Sequence, residues 1–290
     1  MHVITLATCH NRRDMTLQAL KDLHAQELPR SITIEHVIVN DGCTDNTAEA
    51  VSEYYPDVEV LTGTGQLYWA GGMRFGWHQS VSRKKFDYLF VYNDDIRLHK
   101  NSLSSLIETS VQFKKDGGSF SHAVSGAFCS SDGNVTTYGG VVAKSRLNPL
   151  RFVKVDPRND NYQIVDTVNM NACLISSDAL ELVGFLSPFY EHSGADYDFG
   201  LKLRKAGGTV MLSPGYVGYC DRNKNQDNFI DKETSLIDAY KVVLSKKREP
   251  FMQRYHYYKS HGGVFWIFNF VKFYLSFPFY FIIKKKFFYS

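Results

Sequence analysis

Two adjacent aspartates, Asp94 and Asp95, follow, after two intervening residues, a short apolar run that predicts a buried strand of a parallel sheet. The run extends from Phe86 to Val91 and contains neither Gly nor Pro. Two carboxylates about 5 to 6 Å apart repel by roughly 3 kcal/mol at an effective dielectric of about 20, so a site that keeps both ionised usually also holds a cation. Oxygen ligands at the end of a strand favour Mg²⁺ or Mn²⁺, with phosphates completing the coordination shell. A solvated turn that merely ends the strand explains the pair equally well.

A second acidic pair, Asp196 and Asp198, stands where an amphipathic helix is predicted to begin. Carboxylates at this position commonly cap a helix and complement its dipole, and Asp198 fits that role. Asp196 lies in an apolar and aromatic surround, where a carboxylate can remove a proton from an attacking hydroxyl. His192, nearby, either contacts a ligand or packs at the surface. The pair therefore predicts a general base, and Asp196 is the better candidate.

The stretch from Thr62 to Arg74 is rich in glycine and carries Tyr68 and Trp69. Glycines let a backbone approach a ligand closely, and the two rings offer flat apolar surfaces beside it. A dinucleotide fingerprint is a weak interpretation, because its third glycine position is Tyr68 and no strand-to-helix junction follows at once. A glycine-rich loop around a core Trp is the alternative.

Strand-like and helical patterns alternate along the first hundred residues. Strands are predicted over residues 3–8, 32–39 and 58–61, with helices between them, and a further helix runs through Leu103, Leu106 and Ile107. Residues 117–165 carry no motif, and another strand is predicted over residues 168–175. This alternation predicts an open, mostly parallel α/β sheet with ligands at the carboxyl ends of its strands.

The composition is that of an ordinary globular protein. The chain has 290 residues, of which 44% are hydrophobic, enough for one large domain and an appendage. Its five cysteines are scattered, so neither a disulfide framework nor a zinc site is indicated, which favours the cytosolic side of a membrane. Strand-like sequence from Val3 leaves no room for a signal segment, so secretion by that route is not expected.

Charge is unevenly distributed. The formal net charge is +3, yet residues 241–290 alone carry +9 and are rich in Phe and Tyr. A basic aromatic tail on an acidic body indicates anionic lipid as a partner and argues against nucleic acid.

An aromatic stretch of twenty residues, Val264 to Ile283, is long enough to cross a hydrocarbon core of ~30 Å. A narrow polar stripe argues against a span, since a central Lys costs about 2.5 to 3.5 kcal/mol on insertion scales. Pro278 is predicted to stop the helix. A helix in the membrane interface with its terminal lysines on lipid phosphates is favoured, and an aromatic dimer interface is a third interpretation. The polar stripe is Asn269, Lys272 and Ser276, the facing aromatic row is Trp266, Phe270, Phe273 and Phe277, and the terminal lysines are Lys284, Lys285 and Lys286.

The order of these motifs resembles glycosyltransferase family 2, the inverting, nucleotide-sugar-dependent enzymes of GT-A fold. The branch it resembles is the bacterial one related to rhamnosyl- and galactofuranosyltransferases. The resemblance covers nearly the whole chain and thins between residues 117 and 165. The matching motifs are Thr8 to Arg12, Asn40 to Asp45, Gly65 to Gly72 with Trp69, Asn93 to Asp95, Gly194 to Leu201, and Arg254 to Gly263.

The resemblance implies roles for particular residues. Asp196 would be the catalytic base, Asp95 would hold Mg²⁺ or Mn²⁺ on the diphosphate, and Asp41 would accept the N3–H of uracil or thymine. The remaining donor-binding positions are Thr8, His10, Arg12, Trp69, Gly71, Gly72, Arg74, Asn93 and Asp94, and the acceptor-side candidates are His192 and Asp198. Three positions depart from the family pattern: Ala195 before the base, Asn93 at the first position of the metal motif, and Val217 to Cys220, which contains no histidine.

The resemblance also implies an organisation and a function. Residues 1–240 would be a GT-A catalytic domain, with a nucleotide-sugar half at 1–116 and an acceptor and base half at 117–240. Residues 241–290 would be a membrane-interface segment. The expected enzyme is an inverting hexosyltransferase that moves a sugar from a UDP- or dTDP-sugar to a glycan on a polyprenyl diphosphate lipid. It would be peripheral to the cytoplasmic face of the inner membrane and would act in O-antigen or capsule synthesis. A homo-oligomer is compatible with this.

Two alternatives belong to other classes. A nucleotide-binding or scaffold protein that has lost turnover is suggested by Ala195 and Asn93. A nucleotidyltransferase would place a glycine-rich phosphate loop after the first strand, whereas Cys9 to Arg13 contains no glycine.

Overall fold

A computed structural model describes residues 1–222, 230, 234–245 and 250–286. Within these residues ten strands form one central sheet, three strands form a second, small sheet, and helices cover both faces. The strands are β1 His2–Cys9, β2 Thr33–Asn40, β3 Val58–Thr62, β4 Tyr88–Tyr92, β5 Arg97–Leu98, β6 His122–Cys129, β7 Thr136–Tyr138, β8 Gly140–Ala143, β9 Phe152–Lys154, β10 Gln163–Ile164, β11 Thr167–Val168, β12 Ala172–Ser176 and β13 Thr209–Tyr219. The helices are α1 Arg13–His24, α2 Thr47–Tyr54, α3 Tyr68–Gln79, α4 Ser102–Lys115, α5 Ser177–Val183, α6 Ala195–Lys205, α7 Leu236–Val243, α8 Phe251–His261 and α9 Trp266–Lys286.

The main path through the central sheet runs β10-β13-β6-β12-β4-β1-β2-β3. Strand β1 pairs in parallel with both β2 and β4, and β2 pairs in parallel with β3. Strand β12 is antiparallel to β4, with Ala172 opposite Tyr92. The carboxyl ends of β1, β2 and β4 therefore meet the amino end of β12 at one edge of the sheet. The expected mostly parallel α/β sheet is confirmed.

Strand β4 is buried on both faces, as its apolar run predicts. Leu89 and Val91 belong to the core on one side, while Phe90 and Tyr92 belong to the core on the other. All five residues of β4 are buried. This packing fixes the direction in which the chain leaves the sheet, and it places Asp94 and Asp95 just beyond the last strand residue.

The glycine-rich stretch is a helix, α3, from Tyr68 onward, and the expected loop ends there. A Cβ on Gly72 would overlap Thr8 Oγ1, and one on Gly76 would lie 2.5 Å from Leu6 Cδ1. These glycines therefore serve the close packing of α3 on β1. The contact of Gly72 with a donor stays a prediction beside this packing role.

The prediction that Pro278 stops the C-terminal helix is wrong, because α9 continues through it to Lys286. A proline inside a helix leaves the carbonyl four residues earlier without its N–H donor. That carbonyl belongs to Tyr274, and it accepts a hydrogen bond from the Tyr240 hydroxyl of α7 at 2.9 Å. Neighbouring Phe277 and Phe281 are buried against α7. These contacts with α7 thus compensate for the backbone hydrogen bond that Pro278 removes from α9.

Helix α9 also meets the body of the protein through Asn269, whose Nδ2 donates to the Leu147 carbonyl at 2.8 Å. Asn269 and the adjacent Phe270 are buried, whereas Lys272 and Ser276 are exposed. The three residues of the predicted polar stripe therefore do not all face solvent. Among the described residues, the segment Trp266–Lys285 is long and apolar enough to cross a membrane. Residues 246–249 and 287–290 of the basic tail, and the side chain of Lys286, lie outside the described part.

Candidate active site

The carboxyl edge of the sheet gathers polar residues from three strands. Thr8 and His10 come from the end of β1, Asp41 follows β2, and Asp94 and Asp95 follow β4. The register of β1 with β2 sets Cys9 opposite Asn40, so these ends are level. His10 Nδ1 lies 2.6 Å from the Asp41 carbonyl oxygen. Four of the ten predicted donor-binding residues and the predicted metal ligand Asp95 thus lie at neighbouring strand ends.

Arg12 bridges the two adjacent aspartates. Its Nη1 is 3.1 Å from Asp94 Oδ1 and 2.8 Å from Asp95 Oδ2. Burial raises the pKa of Asp94 to about 7, although the guanidinium opposes the shift. The cation that balances the pair within this structure is therefore the side chain of Arg12.

The oxygens on the other side of the aspartates fit a divalent metal. Asp94 Oδ2, Asp95 Oδ1 and Asn93 Oδ1 are buried and accept no hydrogen bond from the described residues. Buried polar atoms without partners are uncommon and require an explanation. Hard carboxylate oxygens are the donors that Mg²⁺ and Mn²⁺ prefer. Cys220 lies close, with its Sγ 4.0 Å from the Asp95 carbonyl oxygen, but burial raises the pKa of its thiol, which disfavours a thiolate ligand.

Asp41 organises the segment that precedes α3. Its Oδ1 accepts from Gly65 N at 2.7 Å, and its Oδ2 accepts from Leu67 N at 2.9 Å and Tyr68 N at 3.2 Å. Within the described part of the chain Oδ1 accepts this one hydrogen bond, which leaves an acceptor site for a further donor, since each carboxylate oxygen can accept about two hydrogen bonds. Its contact with a nucleotide base stays a prediction.

Helix α3 is tied to the loop that leads into α6. The backbone N–H groups of Ala70 and Gly71 donate to the Glu191 carbonyl at 3.1 and 3.3 Å. Arg74 Nη1 donates to the carbonyls of Ser187 at 3.0 Å and Tyr190 at 2.5 Å. The Arg74 side chain is thus engaged by the 187–190 loop. Trp69 packs partly buried against the core, and the ring of His192 lies 6.2 Å from that of Tyr68.

Asp196 lies in the first turn of α6. Its Oδ1 accepts from Tyr197 N at 2.9 Å, and Asn169 Nδ2 is 3.5 Å from its Oδ2. Asn171, two residues after Asn169, accepts at its carbonyl from Asn93 N at 3.1 Å. The segment entering β12 therefore links Asp196 to the edge that carries Asp94 and Asp95. Burial raises the pKa of Asp196 to about 6, which suits a carboxylate that must take up a proton near neutral pH.

Asp198 does not cap the helix, contrary to the role predicted for it. Helix α6 begins after Gly194, whose φ is +83°, and no side chain caps it. The Asp198 carboxylate is buried, and its Oδ1 accepts from the Tyr190 hydroxyl at 3.1 Å and lies 2.8 Å from His261 Nε2. The Asp198 carboxylate is therefore satisfied by side chains inside the fold and not by the backbone N–H groups at the start of α6.

Three residues of α8 contact this region and were missed by sequence reasoning. Gln253 Nε2 donates to the Ser193 carbonyl at 2.8 Å, and the ring of His256 stacks on Phe189 with centroids 3.9 Å apart. His261 is the partner of Asp198. They lie about 60 residues from their partners. His256 and His261 fall within the Arg254-to-Gly263 motif, but no local pattern indicates which residues they contact.

Comparisons with known proteins agree with this geometry. A scan against family models matches residues 6–166, more than half of the chain, to "Glycosyl transferase family 2". No functionally curated protein matches the sequence significantly.

Several solved structures share the fold. Mannosyltransferase PcManGT from Pyrobaculum calidifontis, in complex with GDP-Man and Mn²⁺, is 16% identical with a TM-score of 0.53, and the match covers 77% of this chain and 57% of that one. S. aureus TarS is 14% identical with a TM-score of 0.51, and the match covers 88% of this chain and 42% of that one. GalNAc-T7 with UDP, GalNAc and Mn²⁺ is 13% identical with a TM-score of 0.57, covering 84% and 47%. The chain thus spans about half the length of these structures. The family model matches residues 6–166, and the aspartates at the strand end agree with that match. The chain therefore belongs to glycosyl transferase family 2.

Proposed function

We propose that the chain is an inverting glycosyltransferase that moves a sugar from a UDP- or dTDP-sugar to a glycan acceptor. The observation that carries the proposal is the pairing of two kinds of carboxylate at one edge of the sheet. Asp94 and Asp95 present buried oxygens without partners among the described residues, and Asp196, linked to the same edge through the 169–171 segment, has a pKa raised by burial to about 6. One site can thus hold a charged leaving group and accept a proton.

Asp95, with Asp94, would hold Mg²⁺ or Mn²⁺, and such an ion, when bound, neutralises charge that develops on the leaving diphosphate. Mn²⁺ accompanies PcManGT and GalNAc-T7 in their structures, which supports this assignment. Arg12 can release a carboxylate and bind the diphosphate of the donor in its place, since a guanidinium recognises both groups with the same planar geometry. Asp196 removes the proton of the acceptor hydroxyl as that oxygen attacks the anomeric carbon. A single displacement of this kind inverts the anomeric configuration.

The choice of nucleotide rests on Asp41. PcManGT is in complex with GDP-Man and GalNAc-T7 with UDP, so the fold accommodates more than one base. The acceptor site left on Asp41 Oδ1 is suited to the N3–H of a pyrimidine, which supports UDP or dTDP. Thr8, His10, Trp69, Gly71, Gly72 and Asn93 complete the proposed donor side.

Helix α9 supports a membrane-associated acceptor. Its apolar side chains are largely exposed, for example Phe268 at 64%, Leu275 at 68% and Phe279 at 69%. Lys272 is exposed on the same helix, and Lys284 and Lys285 are half-buried near its end. We infer that residues 241–290 lie in the interface of an anionic membrane, peripheral to residues 1–240, at the cytoplasmic face of a bacterial inner membrane. The acceptor would be a lipid-linked glycan in surface polysaccharide synthesis, as in O-antigen or capsule, and the chain would belong to the rhamnosyl- and galactofuranosyltransferase-like branch.

The test is release of nucleoside diphosphate from a panel of UDP-, dTDP- and GDP-sugars with Mn²⁺ or Mg²⁺ and a bacterial lipid extract as acceptor source. We expect one pyrimidine donor to be turned over by the wild type and by Asp14→Asn, a control at an exposed aspartate. Asp95→Asn should lose turnover and metal-dependent donor binding. Asp196→Asn should lose turnover and keep donor binding.

Donor binding without turnover in the wild type, across the whole panel and with the extract present, would reject catalysis. It would favour the nucleotide-binding scaffold suggested by Ala195 and Asn93. Release of pyrophosphate in place of nucleoside diphosphate would favour a nucleotidyltransferase.

A further inference from the structure

A cavity of about 430 Å³ lies between α6, α8 and the segment that joins α5 to α6. This volume falls within the range of roughly 300–1,000 Å³ that is usual for sites that bind small molecules. The polar side chains that line it are Asp198, Lys202, Lys205, His256, Ser260 and His261. The cavity is therefore a candidate site for a small polar ligand.

The cavity lies on the side of α6 that faces away from the proposed base. Successive residues of an α-helix are rotated by roughly 100° about its axis. Asp198, Lys202 and Lys205 therefore project from α6 at about 180–240° from Asp196. None of the residues proposed to bind the donor or the metal is among the described residues that line the cavity. The cavity is thus separate from the proposed donor site.

Positive charge predominates in the cavity. Asp198 is the one carboxylate among the described lining residues. Its Oδ1 already accepts from the Tyr190 hydroxyl at 3.1 Å and lies 2.8 Å from His261 Nε2. Neither Lys202 nor Lys205 forms an ion pair with any residue in the described part of the chain. The two ammonium groups therefore favour an anion as the ligand.

Several hydrogen-bond donors in the cavity can serve such an anion. Lys202 Nζ donates to the Phe185 carbonyl at 3.0 Å, and an ammonium has three N–H donors. The side chains of Lys205 and Ser260 donate to no described residue. Burial lowers the pKa of Lys202, although Asp198 opposes the shift. A bound anion would compensate the Lys202 ammonium for the hydration that it loses on burial.

A phosphate monoester with a compact body fits these features. Its phosphate carries about −1.5 to −2 charge at pH 7 and three acceptor oxygens, which match two ammonium groups and a hydroxyl. The apolar part of the lining includes Val183, Leu186 and Pro188, and it suits a body about the size of a sugar ring. No described lining residue belongs to α9, the helix proposed to lie in the membrane, which favours a soluble ligand over a lipid headgroup.

We propose that this cavity binds a soluble phosphate monoester about the size of a sugar phosphate. Lys202, Lys205 and Ser260 bind the phosphate, and the apolar wall contacts the body. The ligand joins α6 to α8 on the side opposite Asp196. It is neither the donor nor the acceptor of the proposed glycosyl transfer, so the site is additional to that function.

Calorimetry of the full-length chain tests the proposal, with glucose 1-phosphate and glucose as probes. EDTA is present, because it removes metal-dependent binding of phosphate groups at Asp94 and Asp95. We expect glucose 1-phosphate to bind at least roughly tenfold more tightly than glucose, since the phosphate adds charge-assisted hydrogen bonds. Equal affinities for the two probes, or no detectable binding of glucose 1-phosphate, would overturn the proposal.

Lysine variants locate the phosphate. Lys205→Gln should weaken the binding of glucose 1-phosphate roughly tenfold, and Lys202→Gln at least as much. Lys205 is exposed, so its replacement should leave the fold intact, which circular dichroism checks. Lys259→Gln removes the same charge from an exposed position of α8 outside the cavity and should keep the wild-type affinity. Unchanged affinity in Lys205→Gln, or an equal loss in Lys259→Gln, would reject the cavity as the site.

Arg12→Gln distinguishes the cavity from the donor site. Arg12 is the group proposed to bind the donor diphosphate, so a phosphate bound there would lose affinity in this variant. We expect Arg12→Gln to bind glucose 1-phosphate as tightly as the wild type. Loss of binding in Arg12→Gln, with binding retained in Lys205→Gln, would assign the phosphate to the donor side and overturn the proposal.

Vesicles distinguish a soluble ligand from a lipid headgroup. Vesicles of phosphatidylcholine, with and without phosphatidic acid, are added as competitors of glucose 1-phosphate, and neither should displace it. Displacement by the vesicles that contain phosphatidic acid alone would overturn the assignment to a soluble ligand. All of these are binding measurements, so a failure of the proposed glycosyl transfer would leave their outcome unchanged.

Discussion

His261 Nε2 lies 2.8 Å from Asp198 Oδ1, and this contact joins the C-terminal helix α8 to the helix that carries the proposed base. Only 7% of the His261 side chain and 5% of the Asp198 side chain is exposed. Gln253 and His256 of the same helix hold the preceding loop through Ser193 and Phe189. Helix α8 therefore supports the base helix as well as leading to the apolar helix α9.

Replacing His261 by Ala should destabilise the protein. The substitution leaves the buried Asp198 carboxylate with the Tyr190 hydroxyl in place of two partners, and an under-satisfied buried polar group costs about 1–3 kcal/mol. Urea unfolding should show this loss of free energy, and kcat should fall with little change in the donor KM. His78→Ala, at an exposed histidine, is the control. Equal unfolding free energies for the two variants would show that the contact does not support the base helix.

The rate of transfer should depend on the ionisation of Asp196. Burial raises the pKa of this carboxyl group to about 6, and only the ionised form can accept a proton. The value of kcat/KM should therefore fall as pH is lowered through about 6 and level off above about 7. Asp196→Glu should shift this acidic limb of the pH profile. Such a shift would assign the limb to the carboxyl group at position 196. A limb that stays in place in that variant would point to another group.

Asp196→Asn should be more stable than the wild type at neutral pH. A carboxyl group whose pKa is raised on folding destabilises the native state once pH exceeds its unfolded value of 3.8, and the cost is complete above about 6. Asparagine removes this cost, which is up to about 3 kcal/mol. Thermal unfolding should show a higher Tm for the variant at pH 7.5 and no difference near pH 3.5. A lower Tm at both pH values would contradict this account.

Local signals in the sequence were sufficient for the first half of the sheet and for its acidic edge. The apolar run from Phe86 to Val91 predicted a buried strand from its own composition, so Asp94 and Asp95 could be placed at a strand end. Their bridge to Arg12 could not be foreseen, because it joins residues more than 80 positions apart. The same holds for His261 and Asp198, which are 63 positions apart.

Helices α3 and α9 form although they contain residues that disfavour a helix, because tertiary contacts outweigh the local preference. Glycines disfavour a helix by about 1 kcal/mol each relative to Ala, yet α3 contains Gly71, Gly72 and Gly76. Its packing on β1 requires that close approach. Helix α9 passes Pro278 because Tyr240 binds the carbonyl that proline leaves without a donor.

Two neighbouring glycines of α3 should respond oppositely to alanine. A Cβ on Gly72 would overlap Thr8 Oγ1, whereas one on Gly71 would lie 3.5 Å from Leu67 Cβ, an ordinary contact. Gly72→Ala should therefore lower the free energy of unfolding by about 1–3 kcal/mol. Gly71→Ala should leave it unchanged or raise it by up to about 1 kcal/mol through helix propensity. Chemical unfolding of both variants measures this, and similar effects at the two positions would mean that α3 does not pack on Thr8 as closely as described.

Replacing Arg12 by Gln should change metal binding and donor binding in opposite directions. The guanidinium lies 2.8 Å from Asp95 Oδ2 and repels any second cation at the aspartate pair. Without nucleotide, the variant should therefore bind Mn²⁺ about tenfold more tightly, after allowance for screening by solvent at a half-exposed side chain. The same variant should bind the nucleotide-sugar more weakly, because the group proposed to bind the diphosphate is gone. Electron paramagnetic resonance of free Mn²⁺ and calorimetry of the donor measure the two quantities, with Arg13→Gln, at an exposed neighbouring arginine, as the control. If Arg12→Gln bound Mn²⁺ less tightly than the control, the guanidinium would be supporting the metal site, and its bridge to the aspartates would be part of the binding-competent arrangement.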